Sequence, residues 1–210
     1  QSVANFQRGF DRINVPSVLT TLVTDELDFP NLSMVGVDDR AAAYTAVDYL
    51  IRQGHRKIAV LGGPVTSYPS LMRRQGAQQA MEDAGIVFND KLYGLSNYDF
   101  ESAYHAMNSL LARRAEFTAL FAMSDVIAFG AIRALVSAGL RVPEDVSVIG
   151  FDGITMSRYC VPVMTTIVQP SEQIALQSIE LLVRQIEHGS PAQTVTLQPE
   201  LQQGESVRAI

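Results

Sequence analysis

The stretch RVPEDVSVIGFDG, residues 141–153, contains six mostly apolar residues, VSVIGF at 146–151, that stop at an acid followed by a glycine. A run this short and this apolar reads as a strand covered on both faces. In open sheets of parallel strands, ligands gather outside the carboxyl ends. The acid at the end of this run, Asp152, therefore gains meaning only if the rest of the chain builds such a sheet.

The rhythm on either side predicts one. KIAVL (57–61) and FTALFA (117–122) are further short apolar runs. Helical spacing fills the intervals, with Ala43, Val47, Leu50 and Ile51 at i, i+4, i+7 and i+8. The same spacing recurs in Ala103, Met107, Leu110 and Leu111, and again in Ile127, Ala131, Ala134 and Leu135. Ala175, Ile179, Leu182, Val183 and Ile186 form another stripe. Capping residues open several of these helices: Asp99 with Ser102, Ser124 with Asp125, and Ser171-Glu172 after Pro170. Gly54, Gly85 and Gly139 close others. Such alternation predicts an α/β fold with parallel, doubly wound sheets. Two places break it. At 15–37, PSVLTTL and LSMVGV are joined through DELDFPN with no helix between them, and at 161–169 VPVMTTIVQ follows a short turn and leads into a long helix. Both breaks suggest crossings between two lobes that flank a cleft.

The composition, 47% hydrophobic and 18% charged over 210 residues, suits one or two domains with real cores. A net charge of -6 argues against nucleic acid as a direct partner, because that affinity rests on Lys and Arg neutralising phosphates. His55-Arg56-Lys57 reads as a solvated turn, and Arg73-Arg74 and Arg113-Arg114 as positions on helices with solvated faces by default. No apolar run reaches membrane-spanning length, and the richest, VIAFGAIRALV, carries Arg133. The single cysteine, Cys160, excludes an intrachain disulfide.

Enzyme signatures fail one after another. The chain has no phosphate-binding G-x-x-x-x-G-K-[ST], no G-x-G-x-x-G, no G-x-S-x-G and no H-E-x-x-H. Gly62-Gly63-Pro64 follows a strand, but proline removes a backbone donor that a phosphate cradle would use. His55, His105 and His188 are scattered without metal-ligand spacing. Asp38-Asp39 could hold a cation, but two acids at a strand-to-helix turn more often cap the helix or meet polar ligand groups. Neither catalysis nor a cofactor is expected.

Several stretches taken together resemble the effector-binding module of LacI-type bacterial transcription regulators, itself similar to periplasmic sugar-binding proteins. They are GHRKIAVLGGP (54–64), SLMRRQGAQQAMEDAGI (70–86), YDFESAYHAM (98–107), TALFAMSDVIAFGAIRALVSAGLRVPEDVSVIGFDG (118–153) and TTIVQPSEQIALQSIELL (165–182). Their order and spacing carry the likeness over essentially the whole chain. The resemblance implies a two-lobed periplasmic-binding-protein-like fold whose N-terminal lobe is incomplete here. Residues 1–55 and 165–189 are expected in the N-terminal lobe, and 56–164 and 190–210 in the C-terminal lobe. Crossings would then fall near 54–57, 161–168 and 188–192. A helix-turn-helix DNA-binding domain, absent from this chain, would precede the module.

Site residues follow from the same match. Asp152 matches the aspartate that hydrogen-bonds ligand hydroxyls, and an ionised carboxylate offers only acceptors; otherwise it caps the turn Gly153-Ile154-Thr155. Arg73 matches the arginine whose planar fork bonds adjacent oxygens, and Arg74 is its solvated neighbour. Tyr98 stands where relatives carry an aromatic, able to stack on a sugar face or on a base, or to pack in the core. Ser124 matches an amide or hydroxyl position, with helix capping as the alternative, and capping is the favoured role of Asp125. Asp39 matches a position on the opposing lobe that meets ligand in some relatives. The implied function is a cytoplasmic, homodimeric regulator that senses a small polar effector, a sugar or its derivative, and reaches operator DNA only through the missing domain. The alternative is a periplasmic sugar-binding component of a transport system.

Overall fold

Strands that are apolar on both faces need cover on both, and the chain supplies it by alternation. The computed structural model describes residues 3–10, 14–114 and 116–210. In chain order the elements are α1 (Val3–Phe10), β1 (Ser17–Thr20), β2 (Leu32–Val37), α2 (Asp39–Arg52), β3 (Ile58–Gly62), α3 (Tyr68–Asp83), β4 (Tyr93–Leu95), α4 (Phe100–Ala112) and β5 (Ala119–Ala122). There follow α5 (Asp125–Ser137), β6 (Ser147–Asp152), β7 (Thr165–Val168), α6 (Ser171–His188), β8 (Thr194–Leu197) and β9 (Glu200–Gln202).

The strands form two sheets. The larger has the order β4-β3-β5-β6-β7-β9, parallel except where β9 runs against β7. The smaller has the order β1-β2-β8 and is parallel throughout. The α/β class with parallel sheets is therefore the observed one. In the larger sheet β3 is followed by β4 on one side and β5 on the other, so the strand order reverses between β3 and β5. Such a reversal opens a crevice at the carboxyl edge.

One large core surrounds the six-stranded sheet, with Phe121, Phe151, Leu120 and Ile149 fully buried between α2, α4 and α5 residues such as Leu50, Met107 and Leu135. The smaller sheet has two thin cores. Leu22, Leu27, Leu32 and Met34 gather on one side, and Val35 and Val37 meet Ile174 and Leu181 of α6 on the other.

This packing moves the expected lobe boundaries. Residues 1–55 were expected in one lobe, yet Ala42, Ala43, Ala46, Val47 and Leu50 of α2 sit in the core of the six-stranded sheet. The chain leaves the smaller sheet already between Val37 and Asp39. β7, expected in the N-terminal lobe, pairs with β6, and β8, expected in the C-terminal lobe, pairs with β2. The later crossings thus fall between β7 and α6 and between β8 and β9. The cause is local: α2 has its apolar stripe, but nothing in that stripe says which sheet it covers.

Candidate functional site

The carboxyl ends of β2 to β7 deliver nearly every residue of interest. Asp39 follows β2, Gly63 follows β3, Tyr98 follows β4, Ser124 and Asp125 follow β5, Asp152 ends β6 and Gln169 follows β7. Arg73 reaches this edge from α3, whose first turn is capped by Ser67 and carries a proline.

Arg73 organises the centre. Asp38 caps α2 by accepting from the Ala41 amide at 2.9 Å, which leaves the Asp39 side chain free to turn inward. Arg73 Nε donates to Asp39 Oδ1 at 2.7 Å, and both side chains are buried. Arg73 Nη1 donates to the Met123 carbonyl and lies 3.5 Å from Asp152 Oδ1. The guanidinium plane sits 3.6 Å from the centre of the Phe151 ring, a desolvated cation–π contact. Asp152 also accepts from Gln169 Nε2 at 2.8 Å, and its side chain stays 27% exposed, open enough to meet a ligand. Burial pushes the Asp39 and Asp152 carboxyls upward, and Arg73 pulls both back down. Burial works against the Arg73 charge, but Asp39 and Asp152 outweigh it and hold its proton more tightly than usual.

Tyr98 stands beside this group, within electrostatic reach of Arg73. Its ring packs tightly against Gly63, where a Cβ would come 2.1 Å from ring carbon Cε2. Only glycine permits that approach. The Tyr98 hydroxyl and Gln169 Oε1 are both buried without a hydrogen-bond partner.

The remaining expected residue behaves differently. Ser124 is buried and its Oγ accepts from the Ile127 amide at 3.1 Å, so its hydroxyl caps α5. Asp125 was expected to cap the same helix; instead its carboxylate accepts from Thr166 Oγ1 at 2.6 Å and from the Ile154 amide at 2.8 Å. Arg74 is no solvated bystander. Its guanidinium lies 4.5 Å from the Tyr93 ring centre and 5.4 Å from that of Phe88, and Nη2 pairs with Asp90 at 3.2 Å.

Arg73, Asp152, Asp39 and Tyr98 are thus brought together, while Ser124 is engaged with its own helix. Sequence reasoning missed Gln169, Phe151 and the Met123 carbonyl. The strand-end rule that picked out Asp152 would also have flagged Gln169, which directly follows TTIV. The group offers acceptors, one forked donor and a flat aromatic wall: equipment for holding a small polar molecule.

Residues 47–207 match the periplasmic binding protein-like domain family. The chain is 37% identical over 199 residues to the HTH-type transcriptional regulator MalR of Clostridium butyricum, an alignment covering 94% of this chain and 59% of MalR. Among solved structures it is similar to a sugar-binding transcriptional regulator of the LacI family from Escherichia coli, complexed with phosphate. The TM-score is 0.83 at 31% identity, with 100% of this chain and 74% of that one covered. It is also similar to the transcriptional regulator CelR in its cellobiose complex, with a TM-score of 0.88 at 30% identity over 98% of this chain and 63% of CelR. The chain spans half to three fifths of the length of these curated relatives. These relatives are regulators of transcription, not enzymes. The chain belongs to the LacI family of transcriptional regulators, of which it forms the periplasmic-binding-protein-like, effector-binding domain.

Proposed function

We propose that this domain senses an uncharged, polyhydroxylated small molecule, a sugar or sugar derivative, held at the carboxyl edges of the two sheets by Asp152, Arg73, Tyr98, Gln169 and Asp39. The observation that carries this reading is a pair of buried, unpartnered polar atoms in this group: the Tyr98 hydroxyl, near Arg73, and Oε1 of Gln169, which donates to Asp152 through its Nε2. A buried polar atom without a partner is costly, and a ligand hydroxyl, which both donates and accepts, can serve either one: it accepts from the Tyr98 hydroxyl or donates to Gln169 Oε1. Charge points the same way. Asp39, Asp152 and Asp125 outnumber Arg73 here, so a phosphorylated or carboxylated ligand would add like charge to a site of low dielectric.

In this reading a cytoplasmic homodimer binds operator DNA through a separate part of the longer protein. The pairing is suggested by three exposed apolar side chains in the segment between β6 and β7, Met156, Tyr159 and Val161. Effector binding alters DNA affinity only as far as it prefers one lobe arrangement over another. With net charge -6, residues 1–210 alone should give no sequence-specific mobility shift at physiological salt.

The test is a thermal-shift screen of neutral mono- and disaccharides against their phosphorylated counterparts, beginning with ribose and cellobiose, followed by calorimetric titration. A ligand at a hundredfold its Kd stabilises by about 2.7 kcal/mol, which raises Tm by several degrees. Asp152→Asn should then weaken binding roughly tenfold or more. Tight binding of a sugar phosphate with no response to any neutral sugar would overturn the reading.

A further inference from the structure

The turn that presents Asp152 is held from behind. β6 ends in two successive residues in the left-handed region, Asp152 at φ 111 and Gly153 at φ 71. A non-glycine residue keeps such a conformation only where its surroundings over-determine it. Asp125, the first residue of α5 and fully buried, does this from the neighbouring strand end. Its Oδ2 accepts from the Ile154 amide at 2.8 Å, Oδ1 accepts from Thr166 of β7 at 2.6 Å, and the neighbouring Gly153 amide favours the same carboxylate's charged form. The carboxylate lies so close under β6 that a Cβ at Gly150 would come 2.2 Å from Oδ1.

We propose that Asp125 is a positioning residue of the effector site: its carboxylate holds the turn that delivers Asp152, and protonation of that carboxylate loosens the turn. The inference rests on reading this cleft as the effector site. An ionised carboxylate makes charge-assisted bonds to amides, about twice as strong as those of a neutral acceptor. A proton on Oδ1 turns the Thr166 hydroxyl away, toward the Ile167 carbonyl 3.5 Å off. The Ile154 amide is then left with a neutral acceptor, and the Gly153 amide beside it faces a neutral group.

The environment brings this change close to neutrality. Burial is the main cause lifting the Asp125 carboxyl to about 6, the bonds from Thr166 and the two amides oppose it, and the Asp152 charge adds to the rise. From the segment before β7, the Cys160 thiol also faces this charge. Arg73 is turned to Asp39 and Asp152. A raised carboxyl means that the folded chain binds this proton more readily than the unfolded one. Its stabilising contribution is present at low pH and is lost as pH rises through about 6. Mild acid therefore loosens the turn without unfolding the domain through this group.

The experiment is an NMR titration of the sugar-free chain from neutral to mildly acid pH, following the Asp125 carboxyl carbon and the Gly153 and Ile154 amide nitrogens. All three should titrate with one midpoint near 6, and the protection factors of the two amides should fall below it. Thr166→Val removes a bond that favours the charged form, so the common midpoint of the carboxyl and the two amides should rise by about half a unit or more. In Asp125→Asn the amides should lose the transition. Amides that stay flat while Asp125 titrates, or that fail to follow the shift in Thr166→Val, would overturn the proposal. If Asp125→Asn does not fold, the wild-type and Thr166→Val titrations still decide. No sugar enters this measurement, so its failure is distinct from a failure of sugars to bind.

Discussion

Arg73 spends most of its bonding on the protein itself, and that changes what its removal reports. Its side chain and that of Asp39 are 7% and 6% exposed. Removing one member of a buried pair leaves the other charge unpaired, at about 3–5 kcal/mol. Arg73→Ala should therefore lower unfolding free energy in urea by about that amount, besides weakening ligand binding. A variant as stable as the wild type would show that Asp39 is relieved in some other way. Asp152→Asn keeps an acceptor on a partly open side chain and should cost far less stability, which makes it the cleaner probe of binding. Arg74→Ala loses a stack between Tyr93 and Phe88, so it serves poorly as a silent control. Asp152 stood out in the sequence because a strand end carries a chemical expectation, whereas Arg73 was singled out only by the family resemblance, since its helical position alone reads as solvated. Ser124 was ambiguous because one hydroxyl serves ligand and helix equally well. Gln169 was overlooked because its role depends on the Asp152 carboxylate it donates to, a contact across 17 residues of chain.

Elements are joined by side chains that the pattern of apolar residues does not reveal. His55, between α2 and β3, is buried, with Nε2 3.1 Å from the Arg208 carbonyl and Nδ1 2.9 Å from Thr118 Oγ1. A carbonyl only accepts, so Nε2 carries the proton and the neutral ring accepts from Thr118. Burial depresses the pKa of His55 below 6.5. Its contribution to stability is thus present above 6.5 and is lost as pH falls through the lower folded value. The stability gap between wild type and His55→Gln, measured by urea unfolding, should be widest above pH 7 and should shrink toward pH 5. A gap that grows in acid would refute this. The same distinction explains which strands could be read. β3, β5 and β6 are buried on both faces and appear as apolar runs. β4 and β9 are three residues long, and β8 alternates between exposed and half-buried positions. These short edge strands are defined by their partners, β3, β7 and β2, which is information held in the tertiary fold.

On the scale of the whole molecule, stability should be unequal between the two sheets. Every residue of β3 and β5 is buried, and four helices contribute to the core around them. In the smaller sheet only β2 is buried throughout, while β1 and β8 are half-buried or exposed. α6 covers one face with Ile174 and Leu181, and leaves Leu176, Ile179, Val183 and Ile186 exposed on its other side. Regions with few buried apolar contacts open locally at lower free energy than the core. Native-state hydrogen exchange should therefore show β5 and β6 amides exchanging only through global unfolding. Amides of β1, β8 and α6 should exchange by smaller openings with weak dependence on denaturant. The β2 amides should lie between, tied by their core but flanked by two weak neighbours. An effector gripping both sheets would raise protection most in β1 and β8, because those amides have the most to gain. Equal protection in the two sheets of the unliganded chain would mean that they unfold as one unit. The crossings after Val37, after Val168 and after Leu197 would then be too stiff to let one lobe move against the other.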